Sequence, residues 1–142
     1  MTKVLVDTNI LIYAHHKKEK AKHPRCAELV NTLVDSEDMV LSIQNLVEFS
    51  RVLSEKASID KELVRQYVFD LSETSRVISY NEHTIMYALM LSKQHRIHFF
   101  DALLAATMQE NDISKIVTEN TKDFKKIKWL KAENPFEKKV SK

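Results

Sequence analysis

Short aliphatic runs alternate with stretches whose apolar positions return every three or four residues, and this alternation organises the chain. Lys3 to Val6, Met39-Val40-Leu41, Arg76 to Tyr80 and Lys115 to Thr118 carry the runs. Short, continuous and rich in β-branched side chains, they read as strands covered on both faces. Between them lie helical periodicities. Ile10 to Tyr13 follow Thr8 or Asn9, either of which can open a helix, and Pro24 stands at the first turn of a helix bearing Cys26, Leu29, Val30, Leu33 and Val34. Ser42 caps a helix with Leu46, Phe49, Val52 and Leu53, and another runs from about Asp60 to Thr74 with Leu63, Val64, Tyr67, Val68 and Leu71 on one side. Asn81 caps the next, whose stripe of Ile85, Met86, Leu89 and Met90 is expected to face the core, and Ala102 to Met108 is apolar nearly all round. A last short edge strand is expected within Ile127 to Ala132. Strand and helix in alternation give an α/β fold whose parallel sheet is covered on both sides through right-handed crossovers.

Composition narrows this picture. At 142 residues the chain is expected to form one domain, 1–142, ending in a flexible basic tail over 136–142. Its apolar stretches fall short of the ~20 residues a membrane span needs, and Asp7 interrupts any leader-like run, so a soluble, cytoplasmic protein is expected. The single cysteine, Cys26, closes no internal disulfide and sits among core positions. Glycine is absent altogether. The dinucleotide fingerprint and the P-loop both need glycine where backbone approaches phosphate, so no nucleotide cofactor is expected, and any phosphate chemistry must use side chains and metal. The net charge is only +2, but Lys17, Lys18, Lys20, Lys22 and Arg25 cluster early, while Lys122, Lys125, Lys126, Lys128 and Lys131 lead a second cluster near the end. Such runs suit either a solvated face or a phosphate backbone.

Most acidic residues lie in polar stretches, but three do not. Asp7 ends the first strand, Glu48 interrupts Leu46-Val47-Glu48-Phe49, and Asp101 interrupts Phe99-Phe100-Asp101-Ala102-Leu103-Leu104. Carboxylates in apolar segments require a cation or hydrogen bonds to stay charged. Asn120 and Asp123 flank the end of the fourth strand much as Asp7 flanks the first. If these groups meet at one sheet edge, oxygen ligands favour Mg²⁺ or Mn²⁺, which can lower the pKa of a bound water and neutralise a phosphodiester transition state. Each also has a plainer role: Asp7 and Asp101 as helix caps, Glu48 as partner of Arg51 or Lys56, Asp123 as a turn former. His23 with Cys26, and His95 with His98, lack a second pair at zinc-finger spacing.

Val4-Leu5-Val6-Asp7-Thr8-Asn9-Ile10-Leu11-Ile12-Tyr13-Ala14, Leu41-Ser42-Ile43-Gln44-Asn45-Leu46-Val47-Glu48-Phe49, Phe100-Asp101-Ala102-Leu103-Leu104-Ala105-Ala106 and Thr118-Glu119-Asn120-Thr121-Lys122-Asp123-Phe124 together resemble the PIN domain family, particularly its VapC-type toxins. The resemblance implies a three-layer α/β/α sandwich on a mostly parallel sheet and a Mg²⁺- or Mn²⁺-dependent endoribonuclease. Asp7, Glu48 and Asp101 match the family's three constant acids, as catalytic residues and metal ligands. Asn120 stands where aspartate is common and Asp123 lies just beyond, so either fills the fourth place. Thr8, Asn9 and Thr118 would orient the carboxylates. Lys128-Trp129 replaces a common glycine. The resemblance further implies an RNA substrate, a homodimer, and a protein antitoxin lying over the acidic pocket. The substitution at Asn120 leaves open a second role, an RNA- or protein-binding module without catalysis.

Overall fold

The computed structural model describes residues 2–137. Five strands form one parallel sheet: β1 (Val4–Val6), β2 (Met39–Ser42), β3 (Arg76–Ile78), β4 (Lys115–Val117) and β5 (Lys131–Glu133), in the order β3-β2-β1-β4-β5. Helices α1 (Thr8–His15), α2 (His23–Asp35), α3 (Ile43–Arg51) and α4 (Lys61–Thr74) intervene before β3. Helices α5 (Glu82–His95) and α6 (Phe99–Glu110) follow it. The last turn of α3 widens into a π turn over Val52–Lys56.

The pleat divides the strands between two cores. Val4, Val6, Met39, Leu41 and Val117 pack with Ile10, Leu11, Phe49 and Leu53 on the α1 to α4 side, while Leu5, Val40, Ile78 and Ile116 pack with α5 and α6 on the other. This is the α/β sandwich that the alternation predicts. Among the described residues no helix is long and apolar enough to cross a membrane. Side chains fix the helix starts: Asp7 caps α1, Ser42 and Asn45 form a capping box on α3, and Asn81 and Thr84 form one on α5. Without glycine, left-handed backbone falls to Glu37, Ser58, Arg96 and Asp112. Glu37 and Asp112 close α2 and α6 with paired bonds, Asp38 N to Leu33 O with Glu37 N to Val34 O, and Ile113 N to Met108 O with Asp112 N to Gln109 O.

Several expectations need correction. The α5 stripe is not core: Met86, Leu89 and Met90 are each more than half exposed and Ile85 is exposed as well. The helix turns Thr84, Ala88 and Leu91 inward instead. Ala88 joins Ala102, Ala105 and Ala106 of α6 in one cluster, and Thr84 bonds Glu110 while Tyr87 bonds Gln109. Small residues let the two helices approach closely, which leaves the larger apolar side chains outside. The last strand falls later than expected, because after the 3₁₀ turn over Phe124–Lys126 the chain turns again between Ile127 and Leu130, closed by Leu130 N to Ile127 O, and buries both side chains before β5 begins. Helix α6 begins at Phe99 with His98 at its cap, so Asp101 lies inside the first turn and does not cap it. At the C-terminus, Phe136 is not tail-like. Its ring meets that of Tyr13 edge-on at 6.0 Å. The rest of the expected tail, 138–142, lies outside the described residues.

Candidate acidic site

The C-terminal ends of β1, β2 and β4 open onto a common cavity of about 230 Å³ whose wall includes Asp7, Glu48, Asp101 and Asn120. Such an edge is where open α/β sheets place ligands. Asp7 is delivered there by β1 and held by three donors. Its Oδ1 accepts from Thr8 N at 2.8 Å and Asn45 Nδ2 at 3.3 Å, and its Oδ2 accepts from Thr118 Oγ1 at 2.8 Å. The capping role and the cavity role therefore coexist in one side chain. Burial raises the Asp7 pKa, and the bonds from Thr118, Thr8 and Asn45 oppose that rise.

Glu48 projects from α3. Burial raises its pKa and the neighbouring Asp7 charge adds to the effect, while Arg51 and Lys56 pull the other way. Neither cation pairs with it among the described residues. Asp101 sits in the first turn of α6, and its carboxyl is pushed up to about 7 by burial, by its hydrogen bond with Asp123, and by the charges of Asp7, Asp123 and Glu48. Asp123 moves oppositely: burial raises it, but the His98 N–H, Asp101 and Lys126 outweigh that and lower it overall. The His98 N–H donates to Asp123 Oδ2 at 3.1 Å, and Lys126 stands 3.8 Å from Oδ1. Asn120 thus lines the cavity, whereas Asp123 is not among its lining residues and is held by the His98 N–H and Lys126.

Thr8, Asn9 and Thr118 brace the wall. Thr118, fully buried, donates to Asp7 and accepts from Asn9 Nδ2 at 3.4 Å and Asn120 N at 3.1 Å. Sequence reading missed Asn45, which is 1% exposed. Its Oδ1 accepts from Ser42 N and Ser42 Oγ, and its Nδ2 donates to Asp7 Oδ1 and Thr8 Oγ1. The signal was present in the Ser-x-x-Asn spacing of a capping box. Glu119 was missed too: it accepts from Tyr13 OH at 2.6 Å and pairs with Lys22, whose ammonium lies 4.8 Å from the Tyr13 ring centre. Lys22 thereby leaves the set of lysines open to a phosphate.

The donor set is oxygen only, and the Asp7 charge raises the pKa of both Glu48 and Asp101, so the cavity suits a hard divalent cation. Among the described residues no three His, Cys, Asp or Glu side chains converge tightly enough to grip one ion together. A larger cavity of about 530 Å³, lined by Arg25, Leu29, Glu133 and Pro135, contains none of these acids.

Comparison with known proteins accords with the geometry. No curated protein matches the chain. Solved structures do: a toxin-antitoxin complex from Klebsiella pneumoniae is 21% identical, with 95% of this chain and 99% of that one covered at a TM-score of 0.69. VapBC2 from Rickettsia felis, bound to a fragment of promoter DNA, is 22% identical, with coverage of 94% and 98% and a TM-score of 0.70. VapC20 from Mycobacterium tuberculosis, described as a toxin that cleaves the sarcin-ricin loop, is 18% identical, with coverage of 80% and 87% and a TM-score of 0.63. At these identities the likeness is one of fold. The PIN domain profile, however, matches residues 4–130. The chain therefore belongs to the PIN domain family.

Proposed function

We propose that this chain is a metal-dependent endoribonuclease that hydrolyses phosphodiester bonds in RNA and acts as the toxin of a type II toxin-antitoxin pair. One observation carries the reading: Asp7, Glu48 and Asp101 share one cavity, each with a raised pKa, and none has a cationic partner among the described residues. A fold does not keep such an arrangement for stability, since like charges drawn together disfavour their own ionisation. One or two of Asp7, Glu48 and Asp101 would ligate Mg²⁺ or Mn²⁺ directly and the remainder through water, with Asn120 offering its amide oxygen. A divalent ion supplies there a water of lowered pKa and neutralises charge at phosphorus. The chain's own residues do the rest. Thr118, Thr8 and Asn45 hold Asp7 in one orientation, Asp123 restrains Asp101, and the exposed lysines 122 and 125 give the RNA backbone its electrostatic hold.

The partners follow the same reading. The Klebsiella pneumoniae neighbour is a toxin-antitoxin complex, and an antitoxin covering the acidic cavity would silence it. The exposed stripe of α5, displaced from the core, offers apolar surface to a second copy. A second reading, a binding module without catalysis, draws on Asn120 in the fourth place. The Asp7→Asn variant separates the two. With Mg²⁺ or Mn²⁺ the parent cuts single-stranded RNA and the folded variant loses about a thousandfold, equivalent to ~4 kcal/mol. RNA binding that persists in EDTA, with no cutting under any divalent ion, would establish the second reading.

A further inference from the structure

Helix α6 buries every residue from Ala102 to Met108, yet Phe100, in its first turn, is 63% exposed. Phe100 and its sequence neighbour Asp101 both line the acidic cavity. The fold gains little from a phenylalanine so placed, since its sequence neighbour Phe99 already contributes apolar surface to the core and meets the Phe100 ring edge-on, at 5.6 Å and 66°. A T-shaped contact engages at most one face of the Phe100 ring, and the rest of this exposed side chain meets solvent. Its backbone is nevertheless fixed: Gln44 Nε2, on α3, donates to the Phe100 carbonyl at 2.9 Å across the mouth of the cavity. The oxygen of that same carboxamide is the one buried side-chain polar atom without a partner among the described residues. An aromatic face held in place at the rim of a site for phosphodiesters is what a splayed nucleobase stacks upon.

Resting on the ribonuclease reading, we propose that Phe100 and Gln44 form a nucleobase subsite. A base flanking the bound phosphate stacks on the Phe100 ring, and Gln44 anchors the turn that presents the ring. A paired base has its faces buried in the helical stack, so the subsite admits unpaired nucleotides and selects single-stranded RNA. Phe100 positions substrate and takes no part in proton transfer.

The test measures binding, so it does not depend on turnover. In an Asp7→Asn background, short single-stranded RNAs carrying 2-aminopurine at successive positions report stacking as quenched fluorescence. One position is expected to quench strongly. Phe100→Ala abolishes that quench and weakens binding roughly tenfold. Phe100→Leu, which keeps apolar bulk without a π face, resembles the alanine variant, and Phe100→Trp restores both signals. The ring is exposed, so equal melting temperatures confirm that all variants fold. Quenching unchanged in Phe100→Ala overturns the subsite, whether or not the protein cuts RNA. The same result with a halved solution mass would give the ring to an interface between copies instead. Quenching that depends on Phe100 in a protein whose parent cleaves no RNA keeps the subsite and removes the nuclease.

Discussion

Asn45 reaches from α3 to the end of β1 and places its Nδ2 3.3 Å from Asp7 Oδ1, while its own Oδ1 caps the helix it belongs to through Ser42. One buried amide thus joins the start of α3 to the carboxylate at the centre of the cavity. Asn45→Ala strands Ser42 and Thr8 and removes one donor from Asp7, so it should cost about 2–3 kcal/mol in urea unfolding. Asn45→Asp keeps the shape but sets a carboxylate against Asp7. Its loss should be similar near neutral pH and partly recovered in acid, where one of the pair protonates. Equal stability of Asn45→Asp and the parent at neutral pH would disprove the coupling.

Metal binding should depend on pH with a definite sign. In the metal-free protein Asp101 titrates near 7, above its unfolded value of about 4. The folded chain therefore holds the extra proton between those values, and stability falls as pH rises through that window. A divalent ion binds the deprotonated form. Mg²⁺ should accordingly raise the melting temperature by several degrees near pH 8 and by less near pH 5, and Asp101→Asn should shrink the difference. An equal rise at both pH values would contradict the assignment.

The fold was legible because strand and helix obey different periods, and β1, β2 and the helices through α4 fall where those periods put them. The acids that line the cavity were legible because carboxylates interrupting apolar runs are costly, which singled out Asp7, Glu48 and Asp101. Two kinds of information were missing from the sequence. Helical periodicity says that α5 has an apolar stripe but not which face α6 will cover, and a close contact through Ala88 decided it. The Asn45 and Glu119 partners depend on contacts 38 and 97 residues away in sequence, which no local pattern records.

Glycine-free helix ends leave stability to be gained. Glu37 and Asp112 hold φ of 59° and 58°, each closing a helix with the bond pair that glycine usually completes. A side chain in left-handed backbone costs on the order of 1 kcal/mol. Glu37→Gly and Asp112→Gly should therefore each raise unfolding stability by about 0.5–1 kcal/mol, and additively, since they end different helices. A loss of stability in either would show that the side chain has a compensating partner.

Acid should weaken the α1 to α4 core through His15. Its ring meets Phe49 edge-on at 5.1 Å and lies 4.8 Å from Tyr67, with Nδ1 2.8 Å from the Leu11 carbonyl. Burial lowers its pKa, and His23 adds to this while the Leu11 carbonyl and Asp70 oppose it. The unfolded chain then takes up the proton first. This contribution is present above about pH 6.5 and is lost as pH falls toward the lower folded value. His15→Phe keeps the aromatic packing and should flatten stability across that range. An unchanged pH profile would assign the acid sensitivity elsewhere.

The α5 stripe supplies the test of assembly. Met86 and Leu89 are 57% and 56% exposed, so neither contributes much to the folded chain, and charged replacements should change unfolding stability by no more than about 0.5 kcal/mol. If the stripe meets a second copy, the parent's solution mass is twice that of one chain. In a symmetric pair each substitution enters the interface from both sides, and Met86→Lys with Leu89→Lys would set four desolvated ammonium groups against each other. The double variant should sediment as a monomer with an unchanged melting temperature at low concentration. A parent that is already monomeric, or a double variant that remains a dimer, removes α5 from the assembly.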